Sequence, residues 1–214
     1  MNEIHLQQVL PAVFADSNGL YSDVWQQDLT LRRGYSYVVE AASGEGKSSL
    51  FSFLYGYRHD FQGHIRFDQT DVRSLTTSQW VEIRRCHLSI LFQELRLFGE
   101  LTALENVLLK NRLTNFKSEK EILRLFEALH IADKCHQRTD HLSYGQQQRV
   151  AFIRSLCQPF DYILLDEPVS HLDDANAATM GSLLTEEAAR QGAAILTSSI
   201  GKRLPLNYDM TLNL

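Results

Sequence analysis

Apolar positions along the chain follow two rhythms, and the change between them divides it. Ile4 and Leu6 alternate with polar neighbours ahead of an apolar run from Val9 to Phe14, which predicts strand structure followed by a polar loop over Asp16 to Asp23. Leu29 and Leu31 show the same period of two before a turn at Arg33-Gly34. Tyr35 to Val39 is denser in apolar residues, so it predicts a more buried strand that runs through a glycine-containing loop into a helix from Lys47 to Tyr55. Alternation returns from Gly63 to Leu75, and His87 to Phe92 is an apolar run of strand length that stops at Gln93.

Beyond Gln93 the texture becomes helical. Thr102 with Glu105, Ser118 with Glu121 and Ser143 with Gln146 each fit a capping box, in which the two side chains satisfy free N–H groups at a helix start. Ile122, Leu125, Phe126 and Leu129 repeat at helical spacing. Strand character resumes at Tyr162 to Leu165 and again at Ala193 to Thr197, on either side of a helix expected from about Ala175 to Arg190. Strands alternating with helices predict a mainly parallel α/β core interrupted by a helical insertion.

Composition narrows the function classes. The 214 residues, 44% hydrophobic and 22% charged, suffice for one large domain or two small ones and exclude wholesale disorder. No apolar run approaches the roughly 18 to 20 residues that span a bilayer, and the start of the chain lacks the basic flank and apolar stretch of a secretory signal. Cys86, Cys135 and Cys157 form no CxxC pair, which predicts reduced thiols in a cytoplasmic chain. A net charge of −5 argues against a dedicated nucleic-acid partner. The eight histidines include no pair at metal-ligand spacing with a nearby cysteine or carboxylate cluster.

Two segments carry candidate chemistry. After the strand at Tyr35–Val39 comes Ala41-Ala42-Ser43-Gly44-Glu45-Gly46-Lys47-Ser48. Phosphates need convergent N–H donors, a cation and the positive end of a helix. Gly44 and Gly46 let the backbone curl inward, Lys47 reaches the terminal phosphates, and Ser48 offers a hydroxyl to Mg²⁺. The usual motif begins with glycine where this chain has Ala41, a substitution that strains the loop only if φ there is positive. Far downstream, the apolar run Tyr162–Leu165 ends in Asp166-Glu167. Ligands of open α/β sheets bind at the carboxyl ends of strands, so both carboxylates should face the phosphate loop. Asp166 suits Mg²⁺, and Glu167 suits polarising a water for attack on the γ-phosphate.

Between them lies Leu142-Ser143-Tyr144-Gly145-Gln146-Gln147-Gln148-Arg149. In this order, the motifs from Ala41 to Ser198 resemble the ATP-binding cassette ATPases, the motor subunits of ABC transporters, over essentially the whole chain. The resemblance implies a single domain over 1–214 with a P-loop NTPase core, a mainly parallel sheet, an N-terminal antiparallel β portion and an inserted α-helical subdomain. The core is expected over about 1–92 and 160–214, and the helical subdomain over about 93–159. The resemblance also implies ATP and Mg²⁺ as ligands. Ser43, Gly44, Glu45, Gly46, Lys47, Ser48 and Ser49 would bind nucleotide, and Ser48, Gln93 and Asp166 would hold the metal. Gln93 matches the Q-loop glutamine, which also touches the attacking water, and Glu167 the catalytic carboxylate. Ser143, Tyr144, Gly145 and Gln146 match the signature loop, which completes the site of an opposing subunit, while Ser170 and Asp173 match the D-loop that crosses the dimer interface. An aromatic residue near the first strand stacks on adenine in the family; Phe14 and Tyr21 are the candidates.

Two departures bear on turnover. Tyr144 replaces the first glycine of the signature, and Thr197-Ser198 stands where the family has a histidine that contacts the γ-phosphate, which makes Ser198 a catalytic candidate of reduced power. Losing one such electrostatic contact costs about 100- to 1000-fold in rate. The expected partners are separately encoded transmembrane permease subunits and a second cassette, identical or different. They would place the chain at the inner face of the cell membrane. Apolar Leu95, Leu97, Phe98 and Leu101 follow the Q-loop, where the family docks its membrane subunit. The stretch from Phe92 to Val107 is similar to the lipoprotein-releasing, macrolide-export and cell-division cassettes. An ATP-gated binding module with little turnover is the alternative that Tyr144 and Ser198 leave open.

Overall fold

The structure, a computed structural model, describes residues 1–15, 21–42 and 44–214. Its strands are β1 (Glu3–Pro11), β2 (Asp28–Arg32), β3 (Ser36–Glu40), β4 (Phe61–Phe67), β5 (Thr70–Asp71), β6 (Leu88–Leu91), β7 (Tyr162–Leu165), β8 (Ala194–Ser199) and β9 (Met210–Asn213). Its helices are α1 (Lys47–Leu54), α2 (Thr77–Cys86), α3 (Ala103–Asn111), α4 (Glu119–Ala128), α5 (Tyr144–Ser155) and α6 (Asp174–Gln191).

Two sheets form. One is antiparallel in the order β2-β1-β4-β5, and the other has the order β6-β7-β8-β3-β9 with every pairing parallel. The parallel sheet is covered on both faces, as such sheets must be when crossovers run over them. Successive residues of a strand point to opposite faces. Accordingly Tyr162 and Leu164 of β7 join the cluster that holds Ile4, Phe53 and Ile65, beneath the antiparallel sheet and α1. Ile163 and Leu165 join the cluster of Phe126, Phe152 and Met180 from the helical segment and α6.

All three anticipated capping boxes are present, at Thr102/Glu105, Ser118/Glu121 and Ser143/Gln146. Three elements differ from the sequence expectation. The first strand stops at Pro11, and Ala12–Phe14 forms a 3₁₀ turn whose Val13 is exposed. Helix α2 lies outside the predicted elements, although Thr76 and Gln79 form a capping box at its start and Trp80 is its one buried residue. Strand β9 was not anticipated either, since Leu212 alone of its residues is buried. A bulge in β1 between Gln7 and Leu10 brings the Gln8 carbonyl against Gly63 of β4, where a Cβ would lie 2.2 Å from that oxygen. Only glycine permits the approach.

Candidate active site

Four neighbouring parallel strands deliver the site. At the carboxyl ends of β3, β6, β7 and β8 the chain presents the phosphate loop, Gln93, Asp166-Glu167 and Ser198-Ser199 respectively. The reason is geometric: strands running in one direction release their following residues on one edge of the sheet.

The loop after β3 curls as expected. Gly44 and Gly46 have φ of 91° and 101°, whereas Ala41 is absent from the described residues of positive φ, so alanine at that position is unstrained. Ser43 lies outside the described residues. Beneath Gly46 sit two rings: a Cβ there would come within 3.0 Å of Trp25 and 3.1 Å of Phe14. The indole of buried Trp25 also donates to the Glu45 carbonyl at 3.2 Å, and the Glu45 carboxylate accepts from the Ala42 N–H. Phe14 is thus packed under the loop, while Tyr21 is 89% exposed. Lys47, buried at the first position of α1, donates to the carbonyls of Ala41 and Ala42 at 2.9 and 2.8 Å. Its ammonium therefore lies over the loop, with one proton left for a phosphate oxygen. Ser49 instead accepts from Arg58 at 2.9 Å.

Ser48 Oγ donates to Gln93 Oε1 at 3.4 Å, so two of the expected metal ligands already touch. With the Asp166 carboxylate they make an all-oxygen donor set with a single acid. That fits Mg²⁺, which takes one or two carboxylates and completes its shell with phosphate and water.

Asp166 is buried and accepts from Ser198 Oγ at 2.6 Å. The same Ser198 oxygen accepts from the Glu167 N–H at 2.9 Å. This differs from the expectation that Ser198 faces the γ-phosphate. Its side chain is 2% exposed and fully engaged by the two acidic residues, so it positions them. Ser199, one residue on, is equally buried, and its hydroxyl has no partner among the described residues. Glu167 adopts a φ of 50°, a conformation that costs a non-glycine residue of order 1 to 3 kcal/mol. The cost is sustained by contacts on both sides of the residue. Besides its N–H bond to Ser198, its carbonyl accepts from Gln148 Nε2 and Ser170 Oγ, both at 3.2 Å. Burial raises the Glu167 carboxyl above the usual range, and Lys47 only partly opposes the shift. A carboxylate so perturbed is a better base toward water than an exposed one.

The loop before α5 carries an exchange of bonds: Ser143 Oγ accepts from the Gln146 N–H at 3.4 Å, and the Ser143 N–H donates to Gln146 Oε1 at 2.9 Å. Tyr144, where a small residue was expected, points its hydroxyl at the Gln93 carbonyl, 2.8 Å away. Its ring packs edge-on against His171 with centroids 4.4 Å apart. Gly145 is close to the same segment, a Cβ there lying 3.3 Å from the His171 carbonyl. His171 Nδ1 is 2.9 Å from Ser170 Oγ, and Asp173 caps α6 by accepting from the Asn176 N–H at 2.8 Å. That bonding lowers the Asp173 carboxyl below its ordinary value.

The ABC transporter family matches residues 25–170 of the chain. The lipoprotein-releasing system ATP-binding protein LolD of Porphyromonas gingivalis is 30% identical over 191 residues, 87% of each chain. This chain belongs to the ABC transporter ATP-binding family. An ABC transporter ATP-binding protein of Mycobacterium tuberculosis is 32% identical over 192 residues; these cover 88% of this chain and 56% of that protein's length. The dimeric MJ0796 cassette, a bacterial ABC transporter cassette, superposes with a TM-score of 0.78 at 25% identity over 92% of this chain and 87% of that one. The same cassette has also been solved as a dimer in a post-hydrolysis state with ADP and Pi, with a TM-score of 0.74. The fold is therefore that of an ABC cassette, whose family binds adenine nucleotide.

Within this cassette the sequence reading overlooked two contributors. Trp25 supports the phosphate loop from below, and its only signal was a tryptophan in a polar stretch. Gln148, inside the signature helix, reaches the Glu167 carbonyl; three consecutive glutamines conceal which one turns inward.

Proposed function

We propose that this cassette binds Mg²⁺-ATP and hydrolyses it as the motor subunit of a membrane complex, paired head-to-tail with a second cassette. The observation that carries the reading is the convergence of Lys47, Ser48, Gln93, Asp166 and Glu167 at one edge of the parallel sheet. Lys47, the loop N–H groups through Gly46 and the positive end of α1 hold the phosphates. Ser48, Gln93 and Asp166 would hold the metal, which when bound neutralises phosphate charge. Glu167 accepts a proton from the attacking water, and the Gln93 side chain orients that water. Ser143 and Gly145 serve the opposing subunit, presenting a helix N-terminus to its γ-phosphate. Ser170 and Asp173 would form the D-loop that meets that subunit. The adenine would stack near Phe14.

Among the described residues no helix is long and apolar enough to cross a membrane. In this reading the chain lies at the inner face of the membrane through separately encoded permease subunits, with about 93–159 as the segment that carries the signature. Leu95 is buried in the core, so it does not dock a partner, but Phe98 is exposed. Phe98 borders a groove between the core and α3 that is the expected docking surface. Likeness to LolD favours the lipoprotein-releasing type of complex.

The test is steady-state phosphate release from purified protein, alone and with its membrane partner. ATP-dependent release that disappears in Glu167→Gln supports the reading; tight ATP binding with no release in either setting overturns it. That second outcome is what an ATP-gated module would give, and the absence of a histidine in Thr197-Ser198-Ser199 at the end of β8 favours it.

A further inference from the structure

The ends of β6 and β7 are joined twice. Within the sheet Leu91 pairs with Leu165, so Gln93 and Glu167 follow at matching positions beyond neighbouring strands. Outside the sheet a bridge of three side chains runs from one to the other. Tyr144 donates its hydroxyl to the Gln93 carbonyl at 2.8 Å, and its ring meets the His171 ring with centroids 4.4 Å apart and planes at 62°. Ser170, beside His171, donates to the Glu167 carbonyl at 3.2 Å.

His171 is the middle of that bridge, and its ring is not free to turn. Ser170 Oγ has one proton, and the Glu167 carbonyl can only accept it. His171 Nδ1, 2.9 Å from the same oxygen, therefore carries the hydrogen of their contact in either charge state of the ring. The neighbouring backbone is held as well. A Cβ at Gly145 would lie 3.3 Å from the His171 carbonyl, so the start of α5 packs directly on this segment. Lys202 Nζ donates to the Leu172 carbonyl at 2.6 Å and pairs with Asp174 at 2.9 Å.

Both rings lie at the surface, so their contact buries little apolar area and adds little to folding. What it supplies is direction, because edge-on aromatic contacts are geometrically specific. With the Tyr144 ring held, its hydroxyl has a set position, and so has the Gln93 carbonyl. The Gln93 side chain starts from that same residue and places Oε1 3.4 Å from Ser48 Oγ. Small errors in the placement of groups around a reacting centre are costly in rate.

We propose that His171 is a positioning residue for hydrolysis: it holds the Tyr144 ring so that the phenol hydroxyl fixes the Gln93 main chain in register with Glu167. This role rests on the reading that Gln93 and Glu167 handle the attacking water, and it adds the two side chains that keep them aligned.

Steady-state phosphate release, resolved into kcat and KM for ATP, and hydrogen–deuterium exchange of the nucleotide-free chain test it together. His171→Ala should lower kcat about fivefold, the size of one lost hydrogen bond, with KM unchanged. Tyr144→Phe should do the same. The double variant should also lose about fivefold, where independent effects would multiply to about 25-fold. His171→Phe keeps a ring beside Tyr144 and should recover part of the rate; His171→Asn keeps only a donor toward Ser170 and should not. Exchange in the segment after Gln93 should quicken in His171→Ala, although the one hydrogen bond of the His171 ring among the described residues is to Ser170. Thermal melting checks that each variant folds. In an active parent protein, losses that multiply, a raised KM with kcat unchanged, no recovery by His171→Phe beyond His171→Asn, or unaltered exchange after Gln93 would each overturn the proposal and leave the hydrolysis reading intact. A parent protein that binds ATP and releases no phosphate, alone or with its membrane partner, overturns both.

Discussion

Glu167 and Tyr144 stand on the same edge of the molecule, and the chain treats them in opposite ways. Glu167 is half-buried in an unfavourable backbone conformation, and its backbone is bonded by Ser198, Gln148 and Ser170. Tyr144 is 42% exposed, keeps an unstrained helical start, and makes one side-chain hydrogen bond with a ring contact to His171. The carboxylate proposed to handle the reacting water is fixed by its own chain. The segment assigned to an opposing subunit stays on the surface, where a partner can reach it. Strain is tolerated at the first because neighbouring bonds over-determine it; at the second nothing would sustain it.

Five substitutions at four positions would break or sharpen that contrast. The largest effect is expected from Glu167→Gln, which should lower phosphate release by about 100- to 10,000-fold while leaving nucleotide binding in place. The same variant reports on burial. Because the folded carboxyl titrates above its ordinary value of 4.5, the protonated form is favoured in the fold. That stabilising contribution is complete below about pH 4.5 and is lost as pH rises through the folded value. Glu167→Gln should therefore melt higher than the parent protein at pH 7, with the difference vanishing at pH 4. An equal melting temperature at both would mean that Glu167 is not held against its solvation.

Lys47→Ala comes next. Removing a buried ammonium that serves a phosphate should weaken ATP binding by about 2 to 5 kcal/mol, readable by titration calorimetry. An unchanged affinity would contradict the phosphate-loop assignment.

Ser198→Ala strips the Asp166 carboxylate and the Glu167 N–H of their shared partner, and should cost about 1 to 3 kcal/mol in denaturant unfolding. Ser198→His does not restore a family histidine, because an imidazole has no room at a 2% exposed position; it should destabilise more than alanine does. Faster turnover in Ser198→His would show that the hydroxyl's geometry does not decide this site's chemistry.

The smallest effect belongs to Tyr144→Phe. Loss of one partly exposed hydrogen bond is worth about 1 kcal/mol or less, so melting should barely move. Amide exchange in the segment after Gln93 should nevertheless quicken. If it does not, the hydroxyl does not restrain the Q-loop.

Much of this contrast could be read from the order of residues. The phosphate loop, the acidic pair at the end of an apolar run and the capping boxes are local features, each set by a few neighbouring side chains, and each appears where the pattern put it. Strand β9 buries a single side chain, Leu212, and so carries no period to detect, whereas helix α2 had a local signal in its Thr76/Gln79 capping box. The support of Trp25 under Gly46 spans 21 residues, and the Ser198–Asp166 bond spans 32.

The sequence by itself therefore determined the element types, the family and the candidate chemistry, because capping, alternation and loop glycines act over a few residues. Tertiary structure decided the strand order, and with it which hydroxyl meets which carboxylate. It turned Ser198 inward and aimed Tyr144 at the Gln93 carbonyl. It also gathered Arg84, Arg96, Lys110 and Arg154 around one apolar groove. Those outcomes depend on contacts between segments far apart in the chain, whose cost and gain are settled only when the sheet and its two cores close together.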